Sequence, residues 1–193
     1  MFFLDIETLS TKQDGVIVSV GLVYIANPDP KPFADILKDS IFVKFDAAQQ
    51  KALHRKTDKS TVDWWKEQDR DTLKRNVLPS PDDLSPMDGI TALKKFIYEK
   101  SGRITGHTCF TRGGMDAMML DHLCIDTLEV KPLFPYWEYR DVRTAIEFLY
   151  PHSERSYVTI DEERCPGANA YMAMKHSPDI DAALDAAMIL YGV

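Results

Sequence analysis

Two apolar runs within the first 25 residues constrain the fold most. Residues 2–6 are apolar apart from Asp5 and read as a buried strand. Residues 16–25 are β-branched and apolar around a central Ser19 and Gly21 and read as a second. Residues 41–45 alternate apolar and polar, which predicts a third strand, and the Asn27-Pro-Asp-Pro-Lys-Pro32 run between the last two predicts a loop. Helical patterns follow. Ser60-Thr-Val-Asp63 resembles a capping box opening a helix that carries Trp64, Trp65 and Leu73. Ser85-Pro86 opens another, with Ile90, Leu93, Phe96 and Ile97 at helical spacing and Gly102 as its stop. Residues 103–110 read as a strand and residues 115–125 as a helix. Residues 141–150 put Val142, Ala145, Ile146 and Leu149 on one helical face, and a last helix runs from Ser177-Pro178 to about Tyr191, before Gly192. Strands first, then helices and strands mixed, predict an α/β class with a central mixed β-sheet flanked by helices. At 193 residues, one domain spanning 1–193 is the expectation.

Composition narrows the function classes. No run of 18 apolar residues exists and the N-terminus lacks a signal-peptide pattern, so neither a membrane partner nor export is expected. The three cysteines form no Cys-x-x-Cys pair, and their odd number argues against a disulfide framework; a reducing cytoplasm fits. His122 and Cys124 are two apart on a predicted helix and diverge by about 200°, which argues against zinc. A net charge of −7 argues against a basic nucleic-acid coat protein, but not against an enzyme whose carboxylates hold metal. Lys51, His54, Arg55, Lys56 and Lys59 concentrate the basic charge, either as a solvated loop or as a phosphate contact.

Three segments carry chemistry. Asp5 and Glu7 are two apart on a strand and project from one face, where they repel unless a cation lies between them. His176-Ser-Pro-Asp-Ile-Asp181 places a histidine just before a helix and an aspartate in its first turn; Asp179 and Asp181 also suit the helix dipole. Arg112-Gly-Gly-Met-Asp116 puts a carboxylate at a helix entrance behind a flexible double glycine; taken alone, an N-cap is the commoner role for it.

In this order, Asp5-x-Glu7, Asp116 and His176-x4-Asp181 resemble the DEDDh branch of the DnaQ-like 3'-5' exonucleases. The chain is similar to phage DexA-type exodeoxyribonucleases and to mycobacterial-type exoribonuclease domains. Phe3-Leu-Asp-Ile-Glu-Thr-Leu9, Ser60-Thr-Val-Asp-Trp-Trp65, Tyr136-Trp-Glu-Tyr-Arg-Asp-Val-Arg-Thr144 and the segment from His176 to Asp181 carry the likeness across nearly the whole chain. Met115 stands where the family has Phe before its aspartate, a fair substitute in volume, and Asp121 is the fallback for Asp116. The resemblance implies an RNase H-like fold and metal-dependent hydrolysis from a free 3' end to nucleoside 5'-monophosphates, with single strands preferred and DNA slightly favoured over RNA. It implies that Asp5, Glu7, Asp116 and Asp181 hold two Mg²⁺ or Mn²⁺ ions and that His176 is the general base. Arg112, Trp65, Arg55 and Asp141 are the expected substrate contacts. A phage-encoded chain of this kind would act in host-cell cytoplasm, and self-association is left open. A catalytically silent nucleic-acid-binding or scaffold protein on the same fold is the rival reading.

Overall fold

A computed structural model describes residues 1–172, 174 and 176–193. Strands β1 (Phe2–Thr8), β2 (Ile17–Tyr24), β3 (Ser40–Lys44), β4 (Cys109–Thr111) and β5 (Tyr139–Asp141) form one mixed sheet in the order β3-β2-β1-β4-β5. The pairs β1–β2 and β2–β3 are antiparallel, whereas β4 and β5 run parallel to β1. Helices α1 (Phe33–Lys38), α2 (Ala47–Ala52), α3 (Lys59–Lys66), α4 (Arg70–Asn76) and α5 (Pro86–Ser101) separate or follow the first three strands. Helices α6 (Met115–His122), α7 (Val142–Leu149), α8 (Ala168–Tyr171) and α9 (Pro178–Tyr191) complete the chain. The expected α/β class, with a mixed sheet flanked by helices, is what the structure shows, and it is consistent with an RNase H-like exonuclease fold. Among the described residues, no helix is long and apolar enough to cross a membrane.

Alternation along β1 divides the core into two faces. Phe2, Leu4 and Ile6 pack with Ile90, Leu93 and Ile97 of α5 and Met119 and Leu120 of α6. Phe3 faces the other way, into a cluster with Val23, Val142, Ile146 and the buried residues of α9. Asp5 and Glu7 follow Phe3 at two-residue steps, so β1 turns its carboxylates toward the α9 side.

Four local expectations are altered in the structure. The strand predicted over 103–110 shrinks to β4, because Gly106 adopts φ +84° and its N–H donates to Glu138 Oε1 at 2.5 Å. The helix predicted through Leu73 breaks after Lys66, and Asp69 caps a new one by accepting from the N–H groups of Asp71 and Thr72 at 3.0 Å. The capping box at Ser60 does not form: Asp63 pairs instead with Lys59 and Lys66. The helix predicted over 115–125 continues past His122 as a π-helical turn, Leu123–Thr127.

One glycine sets the distance between sheet and helix. Gly21 lies opposite Asp5 in the β1–β2 ladder. A Cβ there would overlap the backbone of Pro178 and Asp179. Glycine in a strand interior thus marks a close backbone approach, here of the α9 N-terminus onto β2. Ala182, Ala183, Ala186 and Ala187, all fully buried, keep the rest of α9 flush with the sheet. Gly21→Ala should therefore lower unfolding free energy by about 3 kcal/mol, the upper end of ordinary overpacking. Urea denaturation reads this directly, and a variant as stable as the parent would show that α9 does not rest on Gly21.

Candidate active site

The site begins where β1 meets an irregularity. Glu7 pairs with Ser19 but Thr8 pairs with Ile17, so Val18 is an extra residue and the ladder bulges there. The bulge turns Val16 and Val18 toward Leu9 and Trp65, a small cluster beside the carboxylate face. Trp65 donates its indole N–H to the Thr8 carbonyl at 2.8 Å, which fixes α3 against the end of β1.

Helix α9 supplies the opposing wall. Asp181 sits in its first turn and accepts from the Ser177 N–H at 3.0 Å through Oδ2. The carboxylate reaches back to the Ser177 backbone, and the Ser177 hydroxyl makes no capping hydrogen bond. With Gly21 admitting the helix end, carboxylate oxygens of Asp5, Glu7 and Asp181 come within 4.8 Å of one another. These three line a cleft of about 650 Å³ with His176, Arg112, Tyr157, Leu184 and Asp185.

His176 holds a left-handed backbone, φ +63°, which is uncommon for a residue with a side chain. Its carbonyl accepts from the Asn76 side chain at 2.5 Å, and Asn76 in turn accepts from the Ser19 hydroxyl at 3.0 Å. A fully buried asparagine therefore ties the approach to α9 onto β2. The imidazole stands edge-on to Trp64, ring centroids 4.8 Å apart, with Nδ1 3.7 Å from Glu7 Oε1.

Asp116 enters from α6. It is buried, and its Oδ2 has no hydrogen-bond partner among the described residues. It lies outside the 4.8 Å group, yet its charge raises the pKa of both Asp5 and Glu7. Asp121 instead faces the Tyr139 hydroxyl, at 3.4 Å, so of the two candidates it is Asp116 that adjoins the cluster.

The electrostatics are those of carboxylates short of cations. Burial, then the charges of Asp116, Glu7 and Asp181, holds Asp5 well above the usual carboxylate range. Burial with Asp181 and Asp116 pushes Glu7 up to about 8. Burial pushes Asp116 and Asp181 up to about 7 each. An unpartnered buried carboxylate oxygen, a close group of three more carboxylates and oxygen-only donors are what hard divalent cations fit.

Of the four expected substrate contacts, Arg112 alone lines the cleft. Trp65 is 2% exposed and cannot meet a base; its neighbour Trp64, 39% exposed, is the member on the surface. Arg55 is buried, not solvent-facing: its guanidinium bonds the Gly15 carbonyl, His122 Nδ1 and Thr127 Oγ1, and latches the loop after β1 to the end of α6. Asp141 caps α7 through the Thr144 N–H at 2.9 Å and accepts from the Gly113 N–H at 2.9 Å, so it buttresses the turn before Asp116. Arg112 does line the cleft, but its Nε and Nη2 both hold Asp185 Oδ1, at 2.9 and 2.6 Å. Asp185 itself is a cleft residue that sequence reasoning missed; its signal was the four-residue step from Asp181, which puts both on one helix face. Asn76 gave no such signal.

Residues 1–188 match the family model described as the 3'-5' exoribonuclease Rv2179c-like domain. The chain is also 29% identical, over 167 residues, to the exodeoxyribonuclease of Enterobacteria phage T4, an alignment covering 77% of this chain and 71% of that protein.

Raised carboxylate pKa values make stability depend on pH with a defined sign. The folded state binds more protons than the unfolded one between about pH 4, the ordinary carboxylate range, and about pH 8, so metal-free stability must fall as pH rises through that window. Thermal melts in EDTA should show that fall, and Mn²⁺ at pH 8 should reverse it. Asp5→Asn should flatten it by removing one charge from the group. Melting temperatures that rise steadily from pH 5 to 8 without metal would contradict the electrostatic reading.

Proposed function

The chain belongs to the 3'-5' exoribonuclease Rv2179c-like family, and from that premise we propose that it is a metal-dependent 3'-5' exonuclease that removes nucleoside 5'-monophosphates one at a time from a single strand. Residues 1–193 are read as one such domain. The observation that carries the proposal is the convergence of Asp5, Glu7, His176 and Asp181 on one cleft, with the buried Asp116 carboxylate adjoining them, from three separate stretches of chain.

In this reading Asp5, Glu7, Asp116 and Asp181 hold two Mg²⁺ or Mn²⁺ ions. When bound, these supply positive charge to the scissile phosphate and the departing 3'-oxygen. His176 takes a proton from the attacking water, whose oxygen bonds to phosphorus as the P–O3' bond breaks. The proton lost to the imidazole is matched by one gained at the released 3'-oxygen. Rigid and adjustable parts are divided to suit: Asp181 is fixed within α9, whereas His176 precedes the helix, leaning on Trp64 and beside Glu7. Trp64 offers an exposed aromatic face beside the proposed base, where a nucleobase can stack. DNA is the preferred polymer in this reading, by likeness to the phage exodeoxyribonuclease; the family's description names the ribonucleic alternative.

Matched DNA and RNA oligonucleotides labelled at the 5' end should give a descending ladder in Mg²⁺ or Mn²⁺, faster on DNA, and no change in EDTA. Cleavage of circular single strands, or turnover that survives exhaustive chelation, would refute the assignment. Binding without release would identify a silent scaffold.

A second experiment separates the base from the ligands. His176→Asn keeps a residue that tolerates the left-handed backbone. It should lower turnover roughly 10²–10⁴-fold, the usual contribution of a general base, with Mn²⁺ affinity nearly unchanged. At saturating Mn²⁺ the acid limb of the pH–rate profile should flatten, because the variant has no imidazole to protonate. Loss of Mn²⁺ binding in parallel with activity would make His176 a ligand instead.

A further inference from the structure

The cleft is larger than its carboxylates need, and its far side has a different chemistry. Beyond Asp181 it is lined by Met172, Leu184, Met188 and Tyr157. Tyr157 is 49% exposed and also lines a neighbouring cleft of about 420 Å³, so it stands as a ridge between two openings.

The segment that carries this ring is strained. Arg155 and Ser156 adopt φ +52° and +62°, consecutive left-handed residues neither of which is glycine. They form the tip of a tight turn in which the N–H groups of Glu154 and Tyr157 each donate to the other residue's carbonyl, at 3.1 and 3.0 Å. Turns of this hand favour Asn or Gly, since a Cβ is disfavoured at positive φ. Strain persists only where surroundings enforce it. Here Ser156 is buried, its hydroxyl donates to Glu147 at 2.5 Å, and its carbonyl accepts from Arg112 Nη1 at 3.1 Å. The same guanidinium lies 4.2 Å over the Tyr157 ring and holds Asp185, one turn beyond Asp181. Arg112 thus ties a strained turn, its aromatic ring and the helix of Asp181 into one unit.

We propose that Tyr157 is a substrate-binding residue that stacks on a nucleobase next to the scissile phosphate, over the apolar floor of Met172, Leu184 and Met188, and that Arg112 is the residue positioning it. The proposal rests on the nuclease reading of the same site. Arg112 lies over the ring, yet Tyr157 still lines the cleft and is half exposed. Polar groups lining the cleft belong to its carboxylate end and to the Arg112–Asp185 pair, so this end recognises a base by its π-face and is tolerant of sequence. The occupant follows from continuity with the carboxylate group, since a strand with its phosphate there must place the adjoining bases within the same cleft.

A chemical cycle tests this. KM is measured in Mn²⁺ for single-stranded oligonucleotides with an intact base or an abasic residue at the 3'-terminal or the penultimate position. Tyr157→Ala should raise KM for the intact substrate roughly 5- to 100-fold, the range of one lost base–aromatic stack. Abasic substitution at one of the two positions should cost the unaltered chain a similar factor, and the two changes together should cost little more than either. Tyr157→Phe should keep the parent KM. Tyr157→Leu, which preserves apolar bulk without a ring, should behave as Tyr157→Ala even if the alanine variant folds poorly. Equal KM values for all variants, or losses that multiply independently of the abasic residue, would overturn the role of Tyr157 while leaving exonuclease activity standing. Absence of any nucleotide release by the unaltered chain would instead remove the nuclease reading, and this inference with it.

Discussion

The close seating of α9 on β2 is the contact on which the rest of the structure depends. A helix packed at ordinary distance on a sheet would leave Asp181 separated from Asp5 and Glu7 by a layer of side chains. Gly21 removes that layer at the helix N-terminus, and four buried alanines remove it along the helix. The antiparallel register then matters twice. Gly21 lies opposite Asp5 and Ser19 opposite Glu7, so the residues that admit the helix and anchor its approach are the cross-strand neighbours of the two carboxylates. Asn76, bridging Ser19 to the His176 carbonyl, extends the same device to the histidine.

What this seating assembles is electrostatically unfavourable. Asp5, Glu7, Asp116, Asp181 and Asp185 converge in a partly desolvated space, with the guanidinium of Arg112 bonded to the last of them. Burial first, and like charges beside it, disfavour full ionisation in a metal-free protein, which is why every one of their pKa values is raised. Such a site costs stability and persists because apolar clusters on both faces of β1 hold its backbone in place. Local inconsistency of this kind, within a fold otherwise consistent at every level, marks function. The strained turn at Arg155 and Ser156 is a second instance, smaller and joined to the first through Arg112.

The misread residues share one cause. Arg55 stands among lysines in the chain, and contiguity of charge says nothing about which side chain turns inward; the long guanidinium reaches three backbone carbonyls and Thr127 and is buried by them. Trp64 and Trp65 differ by about 100° of helix rotation, enough to send one into the core and leave the other exposed. Which is which depends on how α3 docks, and that is decided by the bulge at Val18 and the Thr8 carbonyl, neither of which a period or a propensity reveals. Residues 103–108 read as the start of a strand after the Gly102 stop, but a buried carboxylate 32 residues away takes the Gly106 N–H instead.

Local chemistry by itself determined the strand that carries Asp5 and Glu7 on one face, the helix that carries Asp181 in its first turn, and the α/β class that such elements imply. These follow from two-residue and 3.6-residue periods and from turn residues, which act between neighbours in the chain. Tertiary structure alone decided that Asp116 adjoins the cluster while Asp121 turns to Tyr139, that Asp185 enters the cleft, and that Arg112 bonds Asp185 and Ser156 rather than standing open to solvent. Each of those choices is a contact between residues from different elements, 18 to 73 positions apart where hydrogen bonds make them. Such contacts are set by the distance at which helices close on the sheet, and that distance is a property of packing, not of any one segment.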